Sequence, residues 1–98
     1  MALEILWSKR ADKRFDFILE YLEEEWGDHT TSLLVKKVYD FLDILSEFPE
    51  IGTIENKELN IRGFVIVKQL TIFYQIRNSK IIILNFYDNR QKPKLKRY

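Results

Sequence analysis

Apolar residues recur at helical spacing through the first half of the chain and at strand spacing through the second. Ala11, Phe15, Ile18, Leu22 and Trp26 follow one another at intervals of 4, 3, 4 and 4, which keeps them on one stripe of a helix. Ser8 stands where an N-cap would, and Gly27 where a C-cap glycine would end the helix. Asp28 or Thr30 can cap a second helix carrying Leu34, Val38, Phe41, Leu45 and Phe48 at intervals of 4, 3, 4 and 3. Pro49 stops it, because a proline has no amide proton and its ring clashes with the preceding turn. A connection as short as the one at Gly27 makes the two helices antiparallel neighbours.

Residues 50–57, with Gly52 inside, read as a loop. The pattern then changes to runs rich in Ile, Val, Phe and Tyr at 61–68, 70–77 and 80–87, with Asn78 and Ser79 as a tight turn between the last two. A further short strand is expected at residues 3–7. Both alternating sets within residues 81–86 are apolar, so this strand should be covered on both faces, one cover being the helical hairpin. The order predicts an α+β fold: a strand, an antiparallel helical hairpin, then a three-stranded antiparallel sheet packed against the hairpin. If the first strand joins that sheet, its neighbour must be distant in sequence.

Length and composition narrow the class. A chain of 98 residues forms one domain, and 46% hydrophobic residues suffice for its core. Cysteine is absent, so a disulfide framework and a thiolate metal site are excluded, and the lone His29 cannot build a histidine-rich zinc centre. No apolar run approaches the roughly 20 residues that span a bilayer, which makes a cytoplasmic protein without membrane attachment the expectation.

The near-neutral total of +1 hides a strong charge separation. Residues 1–58 hold seven Lys and Arg against fourteen Asp and Glu, a formal −7, whereas 59–98 hold nine bases against Asp88 alone, a formal +8. The last nine residues, from Arg90 to Tyr98, include five bases and read as a flexible or edge-bound basic tail. Such polarity suits a protein that offers one basic surface to an anionic target and is neutralised by an acidic partner.

Several segments together resemble the RelE/ParE superfamily of bacterial type II toxins across nearly the whole chain. They are Ile5-Leu6-Trp7-Ser8 followed by Ala11, Tyr21 with Trp26-Gly27, Phe48-Pro49-Glu50-Ile51-Gly52, Ile61-Arg62-Gly63-Phe64, Ile72-Phe73-Tyr74-Gln75-Ile76, and Asp88-Asn89-Arg90-Gln91-Lys92-Pro93. The resemblance implies a toxin held inactive by a cognate antitoxin, with no cofactor. It also implies one of two targets. RelE-like toxins cut messenger RNA on the ribosome; ParE-like toxins inhibit DNA gyrase and are not enzymes.

A metal-free ribonuclease needs a tight set of basic groups with an acid and a base. On the RelE-like alternative the candidates are Arg62, Lys68, Arg90 and Tyr87. Yet RNA cutters commonly carry an arginine three residues before the position of Tyr74, where this chain has Thr71, and Asp88 would repel RNA phosphate. The Asp88-Asn89-Arg90 ending resembles the ParE-like branch instead. On that reading the target-binding residues are Arg62, Arg90, Lys92, Lys94, Lys96 and Arg97.

Each candidate has a plainer role. Arg62 could be an edge charge, Lys68 part of a Lys68-Gln69 turn, Arg90 half of a local clasp with Asp88, and the tail a solvated terminus. Phe73 and Tyr74 lie on opposite strand faces and are assigned to packing. Trp7 and Trp26 read as core or rim anchors, and His29 as a surface residue. Glu23, Glu24 and Glu25 crowd a helix C-terminus, where the macrodipole disfavours negative charge, which suggests a basic counterpart.

Overall fold

The computed structural model describes residues 2–89 and residue 98. Its elements run β1 (Glu4–Trp7), α1 (Lys9–Glu47), β2 (Thr53–Asn56), β3 (Ile61–Val67), β4 (Leu70–Arg77) and β5 (Lys80–Asp88). The strands form one sheet in the order β1-β5-β4-β3-β2. β1 runs parallel to β5, with Ile5 opposite Ile81, and the remaining pairs are antiparallel. The neighbour of the first strand is therefore the last one.

α1 is broken in the middle. Gly27 has φ 85° and ψ 176°, a backbone conformation open essentially to glycine alone. A straight helix of 39 residues would be about 58 Å long, but the longest dimension of the molecule is 38 Å. The chain folds back at Gly27 as expected, and residues from both arms, Leu22 and Trp26 with Leu34 and Lys37, line one groove. At the break the Thr31 hydroxyl donates to the Gly27 carbonyl at 3.0 Å. At the start, the Ser8 hydroxyl accepts from the Ala11 amide at 3.1 Å, the expected N-cap, and donates to the Leu84 carbonyl at 3.1 Å. One side chain thus starts the helix and ties it to β5.

The core lies between the hairpin and one sheet face. Ala11, Phe15, Val38, Phe41, Leu42 and Leu45 of α1 meet Leu70, Ile72, Tyr74, Ile81, Ile83 and Phe86. The predicted apolar stripes are buried at their middles and exposed at their ends: Trp26 is 64% and Phe48 65% exposed. Trp7 closes one end of the core against the rings of Phe15 and Phe86, at 5.5 and 5.3 Å.

A bulge explains why both alternating sets of β5 are apolar. Phe73 is opposite Asn85 but Tyr74 is opposite Ile83, so Leu84 is an extra residue and the inward set passes from Ile81 and Ile83 to Phe86. Asn85 and Tyr87 then share the second face with Phe73 and Thr71, all four being buried. Tyr98 also belongs to that face, its ring 6.1 Å from Phe73 and its hydroxyl accepting from Asn56 Nδ2 at 3.3 Å.

Two expectations need correction. Residues 50–57 are not wholly loop, because β2 lies inside them, and the sheet has five strands where three were expected in the second half with a first strand left unplaced. β2 escaped notice because it is a short edge strand with no buried stripe; Thr53, Ile54 and Glu55 are all exposed. The Asn78-Ser79 turn is present, with both residues at positive φ (49° and 65°), as a tight antiparallel hairpin requires.

Candidate functional site

Strand alternation divides the candidate residues between two faces. Arg62 pairs across the ladder with Tyr74, whose ring is in the hairpin-side core. Its Nη1 donates to the carbonyls of Glu50 and Gly52 at 3.1 and 2.9 Å. Tyr74 works on the same loop, its hydroxyl donating to the Pro49 carbonyl at 2.8 Å and accepting from the Gly52 amide at 2.8 Å. Three carbonyls and one amide that follow the end of α1 are therefore satisfied by two sheet side chains. Gly52 must come this close: a Cβ there would lie 2.7 Å from the Tyr74 hydroxyl and 2.9 Å from the Gly63 carbonyl.

Burial raises the Tyr74 phenol above its usual 10.0, the Gly52 amide and nearby Arg62 opposing that shift and Glu50 adding to it. A phenol that must stay protonated to donate suits a structural bond. Arg62 is held by one arm of its guanidinium; its Nε is buried without a hydrogen-bond partner, and Nη2 bonds to no described residue.

Tyr87 is on the other face, opposite Thr71. Thr71 donates to Asn89 Oδ1 at 2.8 Å, Asn89 Nδ2 donates to the Lys68 carbonyl at 3.3 Å, and the Asn89 amide donates to the Gln69 carbonyl at 2.8 Å. Lys68 is exposed in the β3–β4 turn, as its plainer reading had it. Thr71, which stands where RNA cutters carry arginine, thus helps fasten the end of β5 to that turn. Arg62 and Tyr87 are not brought onto one face. Arg90, Lys92, Lys94, Lys96 and Arg97 lie outside the described residues.

Sequence reasoning did not find the role of Gly52 or of Asn89. Both sit inside quoted motifs, but their partners are 22 and 18 residues away and are set by register. Nor did it find the groove at the hairpin tip, about 300 Å³, where Leu22, Trp26 and Leu33 face Val67 and Leu70. Trp26 and Leu33 are exposed there, so the groove presents an apolar patch bordered by Lys37 and Asp88. Among the described residues no helix is long and apolar enough to cross a membrane.

Known proteins share this architecture of a strand, a helical hairpin and an antiparallel sheet with a parallel first strand. The family model for the ParE toxin of the type II toxin-antitoxin system parDE matches residues 5–93. The chain belongs to that family, and membership implies an antitoxin partner. Among solved structures, the chromosomal ParDE toxin-antitoxin system from P. aeruginosa superposes with a TM-score of 0.74 at 12% identity, over 89% of this chain and 96% of that one. A conserved hypothetical protein from Helicobacter pylori, HP0894, gives 0.57 at 16% identity over 91% and 97%. A copper-bound mutant toxin from the same organism gives 0.59 at 16% identity over 90% and 96%. At these identities the structures show a shared fold. No individual curated protein sequence matches the chain.

Proposed function

We propose that this chain is a cytoplasmic toxin that inhibits DNA gyrase by surface contact and is neutralised by its cognate antitoxin. The observation that carries this reading is the separation of Arg62 from Tyr87 by the sheet. Phosphodiester cleavage without a metal requires an acid, a base and a charge stabiliser converging within hydrogen-bond reach of one phosphate. Arg62 bonds to loop carbonyls on the hairpin side, Tyr74 is committed to the same loop, and Tyr87 is buried on the other side. Inhibition by contact makes no such demand, since it needs a complementary surface.

The contact surface is the sheet together with the basic sequence that follows Asn89, in which Arg90, Lys92, Lys94, Lys96 and Arg97 supply five positive charges. Arg62, on the hairpin side of the sheet, offers the target its Nη2 there while Nη1 holds the Glu50 and Gly52 carbonyls. The antitoxin lays an apolar helix face along the groove of Leu22, Trp26 and Leu33, which explains why so large an apolar patch is left uncovered.

Two assays divide the outcomes. Purified protein added to a gyrase supercoiling reaction is expected to stop supercoiling, and programmed ribosomes with primer-extension readout are expected to show no codon-specific cuts. Cuts on ribosomes with normal supercoiling would establish the RNA-cleaving alternative, and inactivity in both would leave a domain that only binds its partner.

A further inference from the structure

A second concavity lies on the hairpin, away from the apolar groove. It measures about 340 Å³, and its walls include Trp7, Tyr39, Asp12 and Asp16. The Trp7 and Tyr39 rings stack with centroids 6.3 Å apart and planes 29° from parallel. Tyr39 is nonetheless 52% exposed, so one aromatic face is left to solvent. Asp12 and Asp16 stand one helical turn apart on the facing arm and pair with no other described residue, although Lys9 and Lys13 precede each by three positions. The helix macrodipole accounts for Asp12, in the first turn, but its influence has faded by Asp16.

We propose that this pocket receives an arginine side chain from a partner polypeptide. A planar guanidinium can stack on the open face of Tyr39 while its N–H groups reach the two carboxylates, which combines cation–π attraction with charge-assisted hydrogen bonds. An ammonium has the charge but not the plane. A phosphate-bearing ligand is repelled by Asp12 and Asp16, and no third carboxylate or histidine among the described residues joins them to hold a metal ion. The formal −7 of residues 1–58 draws a basic segment to this side of the molecule. The pocket rests on the toxin-antitoxin reading only for who supplies the arginine, namely the antitoxin.

The test needs neither antitoxin nor gyrase, so its failure and theirs are separate. Trp26→Phe leaves Trp7 as the single tryptophan reporter, and acetyl-Gly-Gly-Arg-Gly-Gly-amide is titrated against its lysine and citrulline counterparts. The arginine peptide is expected to bind on the order of 3-fold or more tighter than either. Tyr39→Leu, which keeps apolar packing on Trp7, and Asp16→Asn are each expected to weaken it by roughly 2- to 5-fold. Glu24→Gln removes the same charge at the hairpin tip and is expected to change it less than about 2-fold. Equal binding of arginine and citrulline, equal binding of arginine and lysine, or a Glu24→Gln effect as large as that of Asp16→Asn would each overturn the assignment.

Discussion

Tyr74 shows how much of this fold rests on one hydroxyl. It is fully buried, and it satisfies the Pro49 carbonyl and the Gly52 amide at once. Tyr74→Phe keeps the ring in the core but strands both backbone groups, so a loss of about 1–3 kcal/mol is expected in denaturant melts. Burial of the same side chain sets a pH dependence. Its phenol is raised above 10.0 in the folded chain, so its contribution is intact below pH 10.0 and is lost as pH climbs through the raised value. The wild-type melting temperature should therefore fall above that pH more steeply than that of Tyr74→Phe. Gly52→Ala drives a Cβ into the Tyr74 hydroxyl and the Gly63 carbonyl, at a cost of about 1–3 kcal/mol. In the Tyr74→Phe background the first clash is gone while the contact with backbone remains, so a double-mutant cycle should show partial, not full, relief. Arg62 shares the load: Arg62→Ala leaves two carbonyls without their donor and is expected to lower the melt, so its activity must be read at equal folded fraction. Sequence placed Gly52 and Tyr74 in motifs, and placed Arg62 on the face opposite Ile61. It could not show that all three meet, because the meeting depends on how the chain after Pro49 turns back across β3.

At the scale of elements, the parts with a buried stripe were legible and the parts without one were not. Both helical arms were read from spacing and their turn from Gly27; β3, β4 and β5 were read within one residue at either end. β2 carries Ile54 outward at 51% exposure, so nothing in its pattern separates it from loop. The β5 bulge at Leu84 was visible only as a strand apolar on both faces. The hairpin turn gives a sharp test. A Cβ at Gly27 meets nothing within 4 Å, so any penalty for substitution comes from the backbone alone. Gly27→Ala is expected to cost about 1–3 kcal/mol. Asparagine usually tolerates left-handed positions, but ψ at 176° is far from the left-handed helical region, so Gly27→Asn should rescue little of that loss. Equal melts for wild type and Gly27→Ala would mean that the turn relaxes to another conformation at no cost.

Across the whole molecule the charge separation acquires an anatomy. The acidic segment holds the hairpin, with its aromatic-walled pocket, and strands β1 and β2; in the basic segment Arg62, Lys68, Arg77 and Lys80 against Asp88 give +3, and the five bases of residues 90–98 give the rest. Lys36–Asp40 pairs within one arm of the hairpin, and Glu4–Lys80 at 3.8 Å links the acidic segment to the basic one across β1 and β5. Charge of one sign on a surface steers partners of the opposite sign towards it. If the basic side is the target surface, removing residues 90–98 takes away five positive charges and no negative ones, turning a net +1 into −4. Inhibition of supercoiling should then weaken on the order of 10-fold at low salt and lose most of its dependence on salt, because screening acts on the charges removed. Truncation also removes Tyr98 from Phe73 and Asn56, so Tyr98→Ala is the necessary companion. It keeps every tail charge and tests the aromatic anchor alone. A large loss in the truncation with a small one in Tyr98→Ala would assign the effect to charge. Equal losses would instead make anchoring of the tail to the sheet the step that inhibition requires.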